Sequence, residues 1–179
     1  MKNLIFALFL LLIFSSCGKT QDVKWTSLTY DYSEGPLPPP YHHEYSISIN
    51  SDRSANMTYK LGYNADDPSY NYSFTLDDAS LNLLNEKIIE SRILEGKTEA
   101  VPENEHPVGG SLNRVTVYVV NPDPNLDQPP EAFQSPYFPK KEFAKGLNEL
   151  YECINELVPQ DVKTDIEKHR TDFENKAKQ

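Results

Sequence analysis

Cysteine is nearly absent: the 179 residues hold two, Cys17 and Cys153. Two cysteines cannot build a framework of several disulfides. Basic residues are also scarce, with 17 Lys and Arg against 27 Asp and Glu, a formal charge of −10. A nucleic-acid partner is therefore not expected, because phosphates need a Lys/Arg surface. No apolar run approaches the ~20 residues of a bilayer span. The longest is Leu4 to Phe14, 11 residues. Gly-x-Ser-x-Gly, His-Glu-x-x-His, a phosphate loop and a dinucleotide fingerprint are all missing, so these routes to nucleophilic, zinc or nucleotide chemistry have no motif to stand on. The length suits one domain and is too short for a TIM barrel.

What is present begins with the N-terminus. Lys2 gives one positive charge, the apolar run follows, and Ser15-Ser16-Cys17-Gly18 closes it. That order is a targeting signal, not a fold element. Phe14-Ser15-Ser16-Cys17 resembles the lipobox of Gram-negative bacterial lipoproteins, with Phe14 in place of the usual Leu. The resemblance implies cleavage before Cys17, removal of residues 1–16, and diacylglycerol and acyl chains (palmitate-type) on Cys17. Two or three chains bury enough methylenes for lasting attachment, where one does not. Gly18 is not the Asp that marks inner-membrane retention in such lipoproteins, so the resemblance favours the outer membrane. The expected partner is thus the membrane, through lipid at Cys17, in the cell envelope. With Cys17 acylated, Cys153 has no disulfide partner, and it reads as a buried inert thiol.

After a polar tether over 17–22, residues 23–179 read as one domain. Val23–Tyr32 mixes β-branched and aromatic residues and predicts a strand. Ser33–Pro40 predicts a polyproline loop. Three strands then alternate with period two. Tyr41, His43, Tyr45, Ile47 and Ile49 share one face, opposite His42, Glu44, Ser46 and Ser48. Met57, Tyr59, Leu61 and Tyr63 follow, then Tyr70, Tyr72, Phe74 and Leu76. This predicts an antiparallel meander with one dry and one wet face.

Asp77 predicts an N-cap for a helix over 78–92, whose stripe is Leu81, Leu84 and Ile88, widened by Leu83 and Ile89. Leu112–Val120 predicts a returning strand. Asn121–Pro139 holds six prolines and predicts no regular structure. Helices are expected over 140–157, with a seam of Phe143, Leu147, Leu150, Ile154 and Leu157, and over 160–176, with Val162, Ile166 and Phe173. On the last helix, Asp172 with Lys176 and Glu174 with Lys178 have the spacing of surface ion pairs. The order gives an α+β class: an antiparallel meander with helices on one face, in two layers. The layout resembles small uncharacterised lipoprotein domains, in pattern only.

Candidate chemistry is thin. Tyr41-His42-His43-Glu44 is the densest titratable cluster, and alternation places His42 with Glu44 on the wet face and His43 on the other. Zinc needs three or four ligands, and only His106 is positioned to join, by a folded-back loop. No metal and no other cofactor is expected. Asn121 to Asp127 alternates oxygen side chains but lacks the Gly and Glu of a calcium loop. Val108-Gly109-Gly110-Ser111 reads as a turn in preference to an anion nest. The proline- and tyrosine-rich loops carrying Tyr41 and Tyr137-Phe138 would form an aromatic ligand surface if they lay side by side. With Tyr41, His42, His43, Glu44, His106, Tyr137 and Phe138 as that surface, the reading is a non-enzymatic binding or scaffolding domain for an envelope protein, peptide or glycan. The alternatives are a hydrolase or metal-dependent enzyme on His42, Glu44 and His106, and an inhibitor or immunity-type lipoprotein using its acidity against a basic partner.

Overall fold

In the computed structural model, residues 25–120 and 129–178 are described. The signal, the lipobox, the tether and the 121–127 oxygen run lie outside them. Six strands are described: β1 (Trp25–Ser33), β2 (His43–Asn50), β3 (Ser54–Leu61), β4 (Ser69–Thr75), β5 (Leu112–Val119) and β6 (Glu131–Gln134). They form one sheet in the order β4-β3-β2-β1-β5-β6, with every pair antiparallel. Three α-helices accompany it: α1 (Asp78–Glu90), α2 (Lys141–Glu156) and α3 (Gln160–Lys176). The fold is α+β in two layers. None of the described helices is long and apolar enough to cross a membrane.

The register follows the alternation. Leu28 pairs with Ile49 and Tyr30 with Ile47, while on the other side of β1 they face Val117 and Val115. These side chains point to the inner face and are essentially solvent-free. Leu84 and Ile88 of α1 and Leu147, Leu150 and Ile154 of α2 close over them. The opposite face carries short polar residues such as Ser46, Asn56, Thr58, Asn71 and Ser73, and β2 and β3 align Ser46 with Thr58.

Local chemistry sets the element ends. The Asp77 carboxylate accepts from Ser80 N–H at 2.7 Å, which caps α1. Asp52 accepts from Ser54 N–H and Oγ in the β2–β3 turn. Gly62 sits at φ 68°, and a Cβ there would strike the Asp67 carboxylate, so glycine ends β3 before the β3–β4 turn.

Several expectations need correction. The proline loop is not polyproline throughout: Pro39–Tyr41 winds into a 3₁₀ turn. The turn takes Tyr41 and His42 out of β2, so Tyr41 is exposed and off the dry face. Tyr63 likewise lies past the end of β3 and is exposed. Leu83 and Ile89 face solvent, because α2 covers only the narrower Leu84/Ile88 stripe. Inside the proline-rich stretch, Glu131–Gln134 is a strand after all. Its four residues keep their N–H groups, the flanking prolines fall outside the ladder, and β6 is an edge strand, where proline neighbours are tolerated. On α3 the ion pairs are Arg170 with Glu167 and Glu174, and His169 Nε2 lies 3.2 Å from Asp165, in place of the Asp172/Lys176 and Glu174/Lys178 pairs.

Gly146 sits where α2 approaches the end of α1 closely. A Cβ on it would lie 2.9 Å from Glu90 O and 3.0 Å from Ser91 Cα. In an open helix Gly→Ala gains about 1 kcal/mol. Here Gly146→Ala should instead lose about 1–2 kcal/mol through forced separation of α1 and α2, read as a lower urea midpoint with unchanged slope.

Candidate functional site

The inner face around β1 and β2 is floored with aromatic rings. Tyr32 stacks on Tyr45 at 4.7 Å, Tyr30 on Tyr151 at 5.4 Å, and His43 on Tyr32 at 5.8 Å. Buried phenols need partners, and Asn155 of α2 supplies them. Tyr45 donates to Asn155 Oδ1 at 2.7 Å, and Asn155 Nδ2 donates to Tyr151 O and to Tyr30 Oη. Tyr30 in turn donates to Asn113 at 2.6 Å. Ser135 and Tyr151 share a 2.9 Å bond, and Ser135 also accepts from Val115 N–H. Burial pushes Tyr30, Tyr45, Tyr59 and Tyr151 above the usual phenol range. Burial and the Glu34 carboxylate push Tyr32 up to about 12.

Two recesses lie on opposite faces of β2. The outer one, about 340 Å³, is lined by Asp31, Glu44, Ser46, Thr58, Lys60 and Tyr137 among others. Lys60 pairs with Glu44 at 3.3 Å, and the Arg114 guanidinium lies 3.6 Å over the Tyr137 ring. The inner one, about 300 Å³, lies between the sheet and α3 and is lined by His43, Tyr45, Tyr59, Asn155, Lys163 and Arg170 among others.

The seven candidate residues do not assemble. His42 is 4% exposed and stacks on Tyr63 at 3.8 Å. It is a packing residue at a loop, not a neighbour of Glu44 on the wet face. His43 turns inward and meets Glu34 at 3.5 Å. His106 contacts Val101 O at 3.1 Å and leans on Phe138. His42, Glu44 and His106 thus each have separate neighbours, so the His42/Glu44/His106 constellation is not formed. Among the described residues no group of three or more His, Cys, Asp or Glu side chains is placed to hold a metal ion.

The two aromatic loops also part company. The Pro39–Tyr41 turn packs against α3 on the inner side, whereas Tyr137 opens onto the outer recess. Gly109 and Gly110 adopt φ 85° and 90°, and the backbone of Gly110 approaches Gly35 so closely that a Cβ there would lie 2.4 Å from Gly110 O. The glycines serve loop contact. Cys153 is buried in α2 and burial raises its thiol pKa, which suppresses the reactive thiolate.

No protein-family model matches this chain, and no curated protein matches it either.

Reading alternation alone missed the importance of Asn155, Lys60, Arg114 and Asp31. Strand residues on the wet face carry no periodic signal separating solvent-exposed ones from those in a recess. Asn155 sits between apolar helical positions, and that polar interruption was the available hint.

Two predictions follow from this geometry. Asn155→Leu keeps the bulk but strips Tyr45 of its acceptor, and should cost about 2–3 kcal/mol. In a Tyr45→Phe background the cost should shrink by about 1 kcal/mol, giving a positive coupling in a double-mutant cycle. His43 is held below its usual pKa, first by burial and against the pull of Glu34. Below about pH 6.5 the unfolded chain therefore binds more protons than the folded one at this site, so its contribution to stability falls as pH drops. Urea midpoints measured from pH 7.5 to 5 should decline less in His43→Gln than in the parent.

Proposed function

We propose that this is a lipid-anchored protein of the cell envelope, held at the outer membrane through Cys17, whose α+β domain is a non-enzymatic binding module. The observation that carries the reading is Phe14-Ser15-Ser16-Cys17 directly after the 11-residue apolar run. Such a run is too short to span a bilayer, and the motif puts an acylated cysteine at the new N-terminus. The tether is short: residues 17–22 reach ~20 Å when fully extended, so the domain works close to the membrane. Removal of Lys2 with the signal leaves the side-chain charge at −11, from 16 basic and 27 acidic residues.

The surface that suits a partner is the open sheet face. It offers hydroxyl and amide side chains in rows, a shallow recess with both charge signs, and the Tyr137 ring fixed by Arg114. A rigid aromatic beside aligned donors and acceptors fits an extended peptide or a glycan, since such sites combine an apolar surface with a few placed polar groups.

Cell fractionation tests the anchor. Labelled palmitate should enter the parent protein and not Cys17→Ser, and Cys17→Ser should leave the detergent-soluble membrane fraction. Membrane retention of Cys17→Ser at the parent level would overturn the reading.

A further inference from the structure

We propose that the inner recess between the sheet and α3 binds a small molecule with an apolar body and a carboxylate head. This site lies on the opposite face of β2 from the surface proposed for a peptide or glycan, and it does not depend on that reading or on the anchor.

The recess has an apolar lining and an unusual polar wall. Met57, Val158 and Ile166 contribute the apolar part. Tyr59 is 2% exposed, yet its hydroxyl has no hydrogen-bond partner, and the neighbouring His43 Nδ1 has none either. Their rings are 5.5 Å apart, and both line the recess. Buried polar atoms are nearly always satisfied, so the Tyr59 hydroxyl is left with a proton that a ligand oxygen would accept, whereas His43 turns its Nε2 to Glu34 and keeps Nδ1 as an acceptor. The other polar groups there are spent: Tyr45 and Asn155 satisfy each other and Tyr30.

Charge selects the head group. Lys163, Ile166 and Arg170 lie at i, i+3 and i+7 on α3, a spacing that puts them on one stripe, and all three line the recess. Lys163 and Arg170 are partly buried. Arg170 is held by Glu167 at 2.8 Å and lies 3.8 Å from Glu174, while Lys163 has no ion pair among the described residues. Glu156 is the carboxylate lining the recess, and it is exposed to solvent. An anionic oxygen would accept from the Tyr59 hydroxyl and face the Lys163 ammonium, while its apolar body lies along Met57, Val158 and Ile166. A volume of about 300 Å³ is at the small end of ligand sites.

Met57 makes the test direct. The chain has two methionines, Met1 and Met57, so a [methyl-¹³C]methionine label places a reporter on the wall of the recess. The full protein in detergent micelles is titrated with 4-phenylbutyrate and, separately, with neutral 4-phenylbutyramide, which partitions into micelles but lacks the charge. Saturable movement of the Met57 methyl signal is expected with the acid, and about tenfold weaker binding with the amide, the size of one lost charge-assisted hydrogen bond. Tyr59→Phe, which keeps the ring, and Lys163→Gln, a partly exposed site, should each weaken the acid about three- to tenfold. A Met57 signal unmoved by the acid, equal affinity for acid and amide, or unchanged affinity in both variants would overturn the proposal.

Discussion

The side-chain amide of Asn155 is the contact on which the two layers most depend. It accepts from Tyr45 on the sheet and donates to Tyr30 and to its own helix at Tyr151 O. Two phenols of the inner face therefore share one helical residue. A core floored with tyrosine gains large apolar area per side chain but brings hydroxyls that are costly to leave unpaired. Satisfying them requires α2 to sit in one register over β1 and β2. The same arrangement buries Leu147, Leu150 and Ile154 in one cluster with Leu28 and Ile47 and brings Gly146 against the end of α1. Polar satisfaction and apolar packing specify the same arrangement, which is the consistency expected of a sequence with one folded state.

The strands around β1 divide the chemistry between faces. Because successive side chains alternate, His43 and Glu44 are neighbours in sequence and on opposite sides of the sheet. Helices occupy the inner side, so His43 meets Glu34, Tyr32 and Tyr59 in a low-dielectric setting. Glu44 meets Lys60 in the outer recess. The layer architecture thus gives the chain two recesses, one between the sheet and α3 lined by His43, Tyr45 and Tyr59, the other on the outer face lined by Asp31, Glu44 and Lys60.

Much of the fold was legible. The alternation of Tyr45, Ile47 and Ile49, of Met57 and Tyr59, and of Val115 and Val117 gave the inner face correctly, since period two has one physical explanation. Asp77 marked the start of α1, and the Phe143–Ile154 seam marked α2. Misreadings fell where local chemistry competes with tertiary contact. Prolines allowed a 3₁₀ turn where a polyproline loop was expected, which moved Tyr41 and His42 out of β2. Four residues between prolines joined an edge that only β5 could offer. The site was much less legible: Glu44, His43 and Tyr137 do line recesses, but in two separate places, and His42 and His106 are engaged in loop packing.

By itself the sequence determined the class of elements, the inward face of each long strand, and the expectation of a lipidated Cys17, because periodicity, capping and a contiguous apolar-then-cysteine motif are local properties. Only the tertiary structure decided which side chains share a recess. Lys163 of α3 and Tyr59 of β3 are 104 positions apart in the chain, and no local pattern encodes that they face the same space. Their meeting depends on how α3 lies across the sheet, which is set by the packing of Val162 and Ile166 and by the Tyr72–Asp165 hydrogen bond.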